Sequence, residues 1–250
     1  MKKIVAAVLF FSLWVGTAGA QDGFRFGFQV SPSFNWFNPN DNQINGNGTN
    51  LGLRLGVMGE NYFQDQYALT FGLGFAFNAG GTLRHTQGGD FWGNSELNNV
   101  EEYHQLPADV NLKYSLQYIE IPIGFKMRTQ EFGYLRFFAE LPIFTLGILT
   151  QATGDIERPN EEAVEDLDIK KDVNFITLSW GLGGGVEYSI GENTSLVAGL
   201  SFQNSFIDVT KDKNARKFVY DESSGAVISE EPEDSKGNLS GITLRIGVMF

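Results

Sequence analysis

The sequence predicts an all-β fold, an eight-stranded antiparallel transmembrane β-barrel of the up-and-down type. The clearest sign is the last stretch, residues 239–250, where apolar side chains recur at every second position with polar or small ones between them. In a strand, this alternation gives one apolar face for lipid and one polar face for the barrel interior. Seven further stretches alternate in the same way, and long connections alternate with short turns between them. An even number of strands joined in this manner is typical of barrels that span a bacterial outer membrane.

The N-terminal residues have the features of a secretory signal peptide. Lys2 and Lys3 precede a run of about a dozen mostly apolar residues, and an Ala-Gly-Ala cleavage site follows at residues 18–20. The run is too short for a transmembrane helix, which needs about 20 apolar residues. We therefore predict a cleaved signal peptide at residues 1–20 and one barrel domain at residues 21–250.

The composition excludes several classes of function. The chain has no cysteine, which rules out a lipoprotein anchor, a disulfide framework and a cysteine metal site. Two of the 18 Lys and Arg lie in the signal peptide, so the remaining 16 face 30 Asp and Glu, a net charge of −14 that disfavours nucleic acid as a partner. The 22 Phe and 30 Gly favour β-structure, and the mean hydropathy of −0.15 suits strands that are only half apolar.

The first three predicted strands alternate cleanly. In the first, the even-numbered residues from Phe24 to Trp36 are apolar and are assigned to the lipid face. In the second, Arg54 lies on the polar face, and in the third, small residues lie opposite a row of Leu and Phe side chains. A loop rich in Asn, Asp and Gly and then a short turn are expected to connect them. The predicted strands are residues 23–36, 51–58 and 67–78, and the connections are residues 37–50 and 59–66.

The fourth and fifth strands follow a long polar segment at residues 79–112. In the fourth strand, which ends at Arg128, the apolar residues from 119 to 127 are odd-numbered, whereas upstream of Tyr118 they are even-numbered. We interpret this change as a β-bulge near Tyr118. After a tight turn, the fifth strand, residues 134–148, places its odd-numbered residues up to Ile143 on the lipid face, and its upper half is apolar on both faces.

The last three strands are predicted at residues 175–188, 195–207 and 239–250, separated by a turn and by a long loop at residues 208–238. An acidic segment at residues 151–174, with eight Asp or Glu against three Lys or Arg, precedes them. Neither this segment nor the acidic residues of the last loop contain a calcium-loop motif, so we expect solvated loops. Long connections are expected on the external side, which places both termini in the periplasm.

Nine charged residues fall within the predicted strands, and all nine lie on the polar face. Chance would produce this about once in 500 arrangements, given that successive residues alternate between faces. Because the interior of an eight-stranded barrel is just wide enough for its side chains, we expect these residues to form a structural network of ion pairs that fills the lumen. The nine are Arg25, Arg54, Glu120, Lys126, Arg128, Arg136, Glu140, Glu187 and Arg245.

Alternatives remain for both architecture and chemistry. A soluble β-sandwich or a lipocalin-like barrel is disfavoured because a lipocalin has an apolar interior. The charged interior has a second interpretation, a cation-lined path for small anions. His85 and His104 share a loop with Asp90, Glu101 and Glu102, and such a set at the outer rim would suit a lipid-modifying enzyme. Their spacing matches no catalytic motif, so we expect solvated loop residues and no enzyme.

A resemblance narrows the family. Residues 118–126, YIEIPIGFK, resemble the fourth strand of the PorT-like outer-membrane barrels of Bacteroidota, which share the eight-stranded architecture of OmpA and OmpX. Residues 134–140 and 183–188 are similar to the fifth and sixth strands of that family, and Phe250 resembles the terminal signal that the barrel-insertion machinery reads. The resemblance implies the bacterial outer membrane and, through PorT itself, type IX secretion. It brings no catalytic residue.

From these observations we expect a non-enzymatic outer-membrane barrel that supports secretion or envelope organisation through its loops. The expected partners are outer-membrane lipid, lipopolysaccharide, the insertion machinery and secretion-system proteins. No cofactor and no metal ion are expected. The alternatives are a small passive pore for solutes or ions and, less favoured, an outer-face lipid-modifying enzyme.

Overall fold

The computed structural model describes residues 23–221 and 227–250. The predicted signal peptide lies outside the described residues. None of the helices in this part of the chain is long and apolar enough to cross a membrane. The described residues form three short 3-10 turns and the following strands: β1 (Phe24–Pro39), β2 (Ile44–Gln64), β3 (Tyr67–His85), β4 (Gly89–Asp90), β5 (Val110–Arg128), β6 (Leu135–Glu157), β7 (Val164–Asp168), β8 (Ile176–Ser189), β9 (Ser195–Ser205), β10 (Arg216–Tyr220), β11 (Val227–Pro232) and β12 (Gly237–Met249).

Eight of these strands form a closed antiparallel ring in the order β1, β2, β3, β5, β6, β8, β9 and β12. β12 pairs with β9 on one side and with β1 on the other, where Ile246 lies opposite Val30. The ring therefore has no free edge, which is the condition for placing β-structure in lipid. The predicted eight-stranded antiparallel barrel is confirmed. β7 pairs with β6 outside the ring, and β4, β10 and β11 form a separate three-stranded sheet.

An apolar band surrounds the ring. Outward-facing side chains such as Phe28, Leu200 and Ile246 are more than half exposed, as expected for residues that contact lipid. On β5 the band runs from Ile119 to Met127. Nine residues at roughly 3.4 Å each, tilted by about 45°, rise about 22 Å, close to the height of the apolar band of outer-membrane barrels.

Four neighbouring strands continue well beyond the apolar band. β2 begins at Ile44, β3 ends at His85, β5 begins at Val110 and β6 ends at Glu157. The predicted loop at residues 37–50 is therefore too long, because β1 continues to Pro39 and β2 begins at Ile44. The polar segment was predicted to begin at residue 79, whereas β3 continues to His85. The backbone stays paired there because the extended strands enclose a core of their own.

The interior of this extended half is apolar. Leu112, Tyr114, Leu116 and Ile156 point inward and are almost fully buried. Residues of β7 and of the connections between the long strands close the open end of the core and belong to the same buried cluster, namely Phe91, Trp92, Leu97, Leu106, Leu167, Ile169, Val173 and Val209. We call this half of the molecule the cap. It is a solid extension of the barrel rather than a set of solvated loops.

The predicted bulge in the fourth strand was misplaced. Along β5 the even-numbered side chains face inward throughout, so the interior changes from polar to apolar at Tyr118 while the pleat continues. The irregularities lie in the two neighbouring strands, next to Asn78 in β3 and at Thr150 in β6. A further register shift in β6 turns Ile143 inward, where it is buried, so its assignment to the lipid face was also wrong.

Candidate functional site

The half of the lumen within the apolar band is filled by an ion network centred on Lys126, which is 1% exposed. Its ammonium group lies 2.5 Å from Glu60 Oε1 and also donates to Glu187. Glu187, which is fully buried, further binds Arg25 at 3.0 Å and lies 3.8 Å from Arg128. β1, β2, β5 and β8 each contribute to this cluster, so the charges connect strands across the lumen.

Two further pairs lie in the lumen. Arg245 of β12 binds Glu140 of β6 at 2.5 Å. Arg54 lies 3.7 Å from Glu120 and donates a hydrogen bond to Gln203. Every one of these charges has an oppositely charged partner, as buried charges require.

Arg136 lies apart from the other predicted lumen charges. It pairs with Glu131 in the turn before β6, and its guanidinium lies 3.4 Å from the Ser189 hydroxyl. It therefore stabilises the rim of the barrel at the end where the short turns lie.

The sequence interpretation missed one central member of the network. Glu60 is 1% exposed, and besides Lys126 it accepts a hydrogen bond from the Tyr62 hydroxyl at 2.9 Å. It was assigned to a turn at residues 59–66, whereas β2 continues to Gln64. Glu60 and Arg54 are both even-numbered and therefore lie on the same face of β2. Extending the predicted strand by two residues beyond Met58 would have placed Glu60 in the lumen.

A cavity of about 60 Å³ separates these pairs inside the lumen. Gln29, Thr70, Glu120, Glu140 and Arg245 contribute to its lining. The lumen thus contains a small pocket between layers of side chains.

The cap closes the end of the lumen that lies opposite the short turns. The Trp92 indole donates a hydrogen bond to the Tyr114 hydroxyl at 3.0 Å, and their rings meet edge to face with centroids 5.5 Å apart. Phe37 contacts the same tyrosine with ring centroids 5.2 Å apart. Burial raises the pKa of Tyr114 far above its usual value, so this hydroxyl stays neutral at any physiological pH.

Asp172 holds two of the cap loops together. One carboxylate oxygen accepts hydrogen bonds from the Asn94 backbone and side chain at 2.9 and 2.8 Å, and the other accepts one from the Ser95 hydroxyl. The segment between β3 and β5 is thereby fixed to the connection between β7 and β8. Arg158 adds a contact to Glu102 at 2.6 Å.

The two histidines occupy different environments. His85 stacks on Phe91 with ring centroids 3.7 Å apart, and burial lowers its pKa to about 3. His104 Nδ1 lies 3.0 Å from the Asp90 carboxylate, but among residues 23–221 and 227–250 no serine hydroxyl is bonded to either imidazole. The expectation that both histidines are solvated was wrong for His85, which is part of the cap core.

Two carboxyl groups of the last long loop, Asp212 and Glu233, have a pKa that burial raises. Burial, with Asp208 and Glu233 nearby, raises the pKa of Asp212 to about 7. Within the described residues no group of three or more His, Asp or Glu is arranged to hold a metal ion.

Phe250 lies beside the first strand. Its backbone exchanges hydrogen bonds with Phe26 at 2.7 and 3.2 Å, and the two rings are 5.6 Å apart. The side chain remains partly exposed on the outer face of the barrel.

Comparison with known proteins identifies a family. A family model described as an outer membrane protein beta-barrel domain matches residues 18–211. No curated protein matches the chain.

Among solved structures, surface protein A of Neisseria is similar with 10% identity and a TM-score of 0.39, over 90% of this chain and 95% of that one. The attachment invasion locus protein Ail of Yersinia pestis is similar with 10% identity and a TM-score of 0.38, over 92% and 100%. A major outer membrane protein of Thermus thermophilus is similar with 15% identity and a TM-score of 0.38, over 91% and 98%.

Proposed function

The chain belongs to the family of outer membrane proteins with a β-barrel domain, and from that premise we propose that it is a closed, non-enzymatic platform that acts through its cap. The observation that carries this proposal is the filled lumen. Ion pairs occupy the membrane-spanning half, and a packed apolar core occupies the half beyond it. A path for ions or solutes would have to pass through both, so the passive-pore alternative is disfavoured.

The proposed orientation places the cap outside the cell and both chain termini in the periplasm. Its support is the arrangement of the connections. The turns at residues 65–66, 129–134 and 190–194 lie at the end where β1 begins and β12 ends, whereas the long connections all lie at the cap. Outer-membrane barrels carry short turns on the periplasmic side and long loops outside. The signal peptide predicted at residues 1–20 accords with this orientation.

The absence of a catalytic role is likewise part of the proposal. An acyl-transfer or hydrolytic site needs a nucleophile within hydrogen-bond reach of its base. His104 binds Asp90, while Ser95, a serine in the same loop, donates to Asp172 instead.

The finer role that we propose is support of type IX secretion or of envelope organisation, with secretion-system proteins as partners of the cap. The resemblance of residues 118–126 to the PorT-like barrels supports it. A cap of packed strands and loops, held by contacts such as those of Asp172, offers partners a surface with a defined shape. We also propose that Phe250 serves as the signal for the insertion machinery; its partly exposed ring beside Phe26 on the lipid-facing side supports this role.

Deletion of the gene in its native host tests the secretion role. We expect a class of exported proteins to disappear from the medium and the cell surface and to accumulate in the periplasm, as measured by comparative proteomics of each fraction. The wild-type gene supplied in trans should restore export. A periplasmic marker enzyme that stays inside the cells controls for general leakage. An unchanged set of exported proteins would reject the secretion role and leave envelope organisation.

A further inference from the structure

A polar groove lies on the outer surface of the barrel, directly beyond the apolar band. Its volume is about 390 Å³, within the usual range for small-ligand sites. Outward-facing side chains of β5 form its floor, β3 and β6 contribute its sides, and β7 contributes one wall. The lining includes Phe77, Lys113, Ser115, Gln117, Thr153 and Asp155. These residues belong to neither the ion network nor the cap core.

The position of the groove relates it to lipid. Phe77, at its lower end, is the last of the outward-facing apolar residues of β3, and it is 38% exposed. At the same level, Ile119 of β5 and Ile148 of β6 end the apolar rows of their strands, and polar side chains follow. A lipid whose acyl chains pack against this side of the barrel would therefore place its headgroup at the mouth of the groove.

The chemistry of the lining favours a carbohydrate. Ser115 and Thr153 present hydroxyl groups and Gln117 presents an amide, whereas the Asn78 amide is already bonded to Leu51 and Asn50. Beyond Phe77 the groove has no apolar side chain, whereas protein docking sites usually have an apolar or aromatic centre. Hydroxyls and amides, each both donor and acceptor, match the hydroxyl groups of a sugar.

The charge of the groove argues against direct binding of phosphate. Lys113, its one cation, is held by Asp155 at 2.7 Å, and this hydrogen bond raises the pKa of the lysine. Glu165 and Asp166 form the wall contributed by β7 and have no ion-pair partner among the described residues. The groove thus has three carboxylates against one cation, and this surplus of negative charge would repel an anion, while carboxylates accept hydrogen bonds from neutral hydroxyls.

We propose that this groove binds the core sugars of a membrane-embedded lipopolysaccharide molecule whose acyl chains pack below Phe77. The proposal rests on the orientation proposed above, with the cap outside the cell. It assigns the groove to the glycan rather than to the phosphate groups of that lipid.

Binding to defined lipids tests the proposal. The purified full chain, refolded in nanodiscs, is titrated with lipopolysaccharide that carries a short core, with lipid A that lacks the core, and with free core oligosaccharide. We expect the complete lipid to bind about tenfold more tightly than lipid A, equivalent to about 1.4 kcal/mol. Free oligosaccharide should bind only weakly, because it lacks the acyl chains that hold the sugar at the groove.

Two groove variants and one matched control complete the design. Ser115→Trp should abolish the preference for the complete lipid by filling the groove, and Gln117→Ala should reduce it about threefold by removing one hydrogen-bonding group. Thr49→Trp, on the exposed outer face of β2 just above the apolar band, should leave it unchanged. A preference that survives in Ser115→Trp, or its absence in the wild type, overturns the proposal. Loss of binding with EDTA also overturns it, because phosphate bridged by a divalent cation would then be the ligand.

The orientation is tested separately by cysteine labelling. The chain has no native cysteine, so a single introduced cysteine is the only thiol that can react. Glu162→Cys lies in the exposed connection at the cap, and Glu192→Cys lies in the turn at the opposite end. In intact cells an impermeant thiol reagent should label the first and spare the second. Labelling of only the second would reject the proposed orientation, whatever the result with purified protein.

Discussion

Replacement of Glu187 by alanine should destabilise the folded barrel by about 3–5 kcal/mol, the range for breaking a buried ion pair from one side. Glu187 is fully buried, and its carboxylate neutralises Lys126 and Arg25 and lies 3.8 Å from Arg128. Without it, these three cations share only Glu60 as a nearby counter-ion. Lys126, which is 1% exposed, could not recover its lost hydrogen bond from bulk water.

Equilibrium unfolding in urea, with the protein refolded into liposomes and followed by tryptophan fluorescence, measures this loss. Arg84→Ala is the matched control, because Arg84 forms an exposed pair with Asp109 at 2.9 Å beyond the apolar band. Removal of an exposed pair should change stability by about 0–1 kcal/mol. Equal effects of the two substitutions would show that the lumen charges are solvated and do not form a buried network.

Replacement of Trp92 by alanine should open the cap, at a local cost of about 3–5 kcal/mol. Trp92 is 1% exposed, and it joins the loop between β3 and β5 to the inward face of β5 through Tyr114. Truncation leaves a large cavity in the apolar core and removes the partner of a buried hydroxyl. The ring of eight strands should persist, since its hydrogen bonds do not depend on this loop.

Limited proteolysis of the refolded protein measures the opening. We expect cleavage within residues 86–109 to accelerate by at least tenfold, while the membrane-spanning strands stay protected. Trp92→Phe is the control, since it keeps most of the packing and loses only the hydrogen bond, which is worth about 1 kcal/mol. Unchanged protease resistance of Trp92→Ala would mean that the loop is held by contacts other than the cap core.

The ring could be predicted from sequence because lipid and lumen impose opposite chemistry on alternate residues. β1, β8, β9 and β12 show this most clearly, since each runs mostly within the apolar band. The prediction failed in β2, β3, β5 and β6 at the level where the strands leave the band. Within the cap, the side chains that face the interior are the apolar ones. In the sequence of β5 the apolar residues therefore change from even to odd numbers at Tyr118, which is also the pattern that a β-bulge would produce.

The contents of the lumen were only partly accessible from sequence. The period of two identifies which charges point inward, but their pairing depends on strands that are distant in sequence, such as β6 and β12 for Glu140 and Arg245. Glu60 was missed because the second strand was predicted to end at Met58, whereas β2 continues to Gln64. Trp92 and Leu97 lie in a polar segment without periodicity, and only the folded chain shows that they enter the cap core.

The most direct test of the account is the conductance of the wild-type protein in planar lipid bilayers. A lumen filled by paired charges and closed by the cap should give no stable open-channel steps in concentrated KCl, even though the protein is shown to be folded by its heat-modifiable migration on gels. Stable, ohmic steps that scale with salt concentration would contradict the account. They would show that a water-filled path passes both Lys126 and the apolar core of the cap.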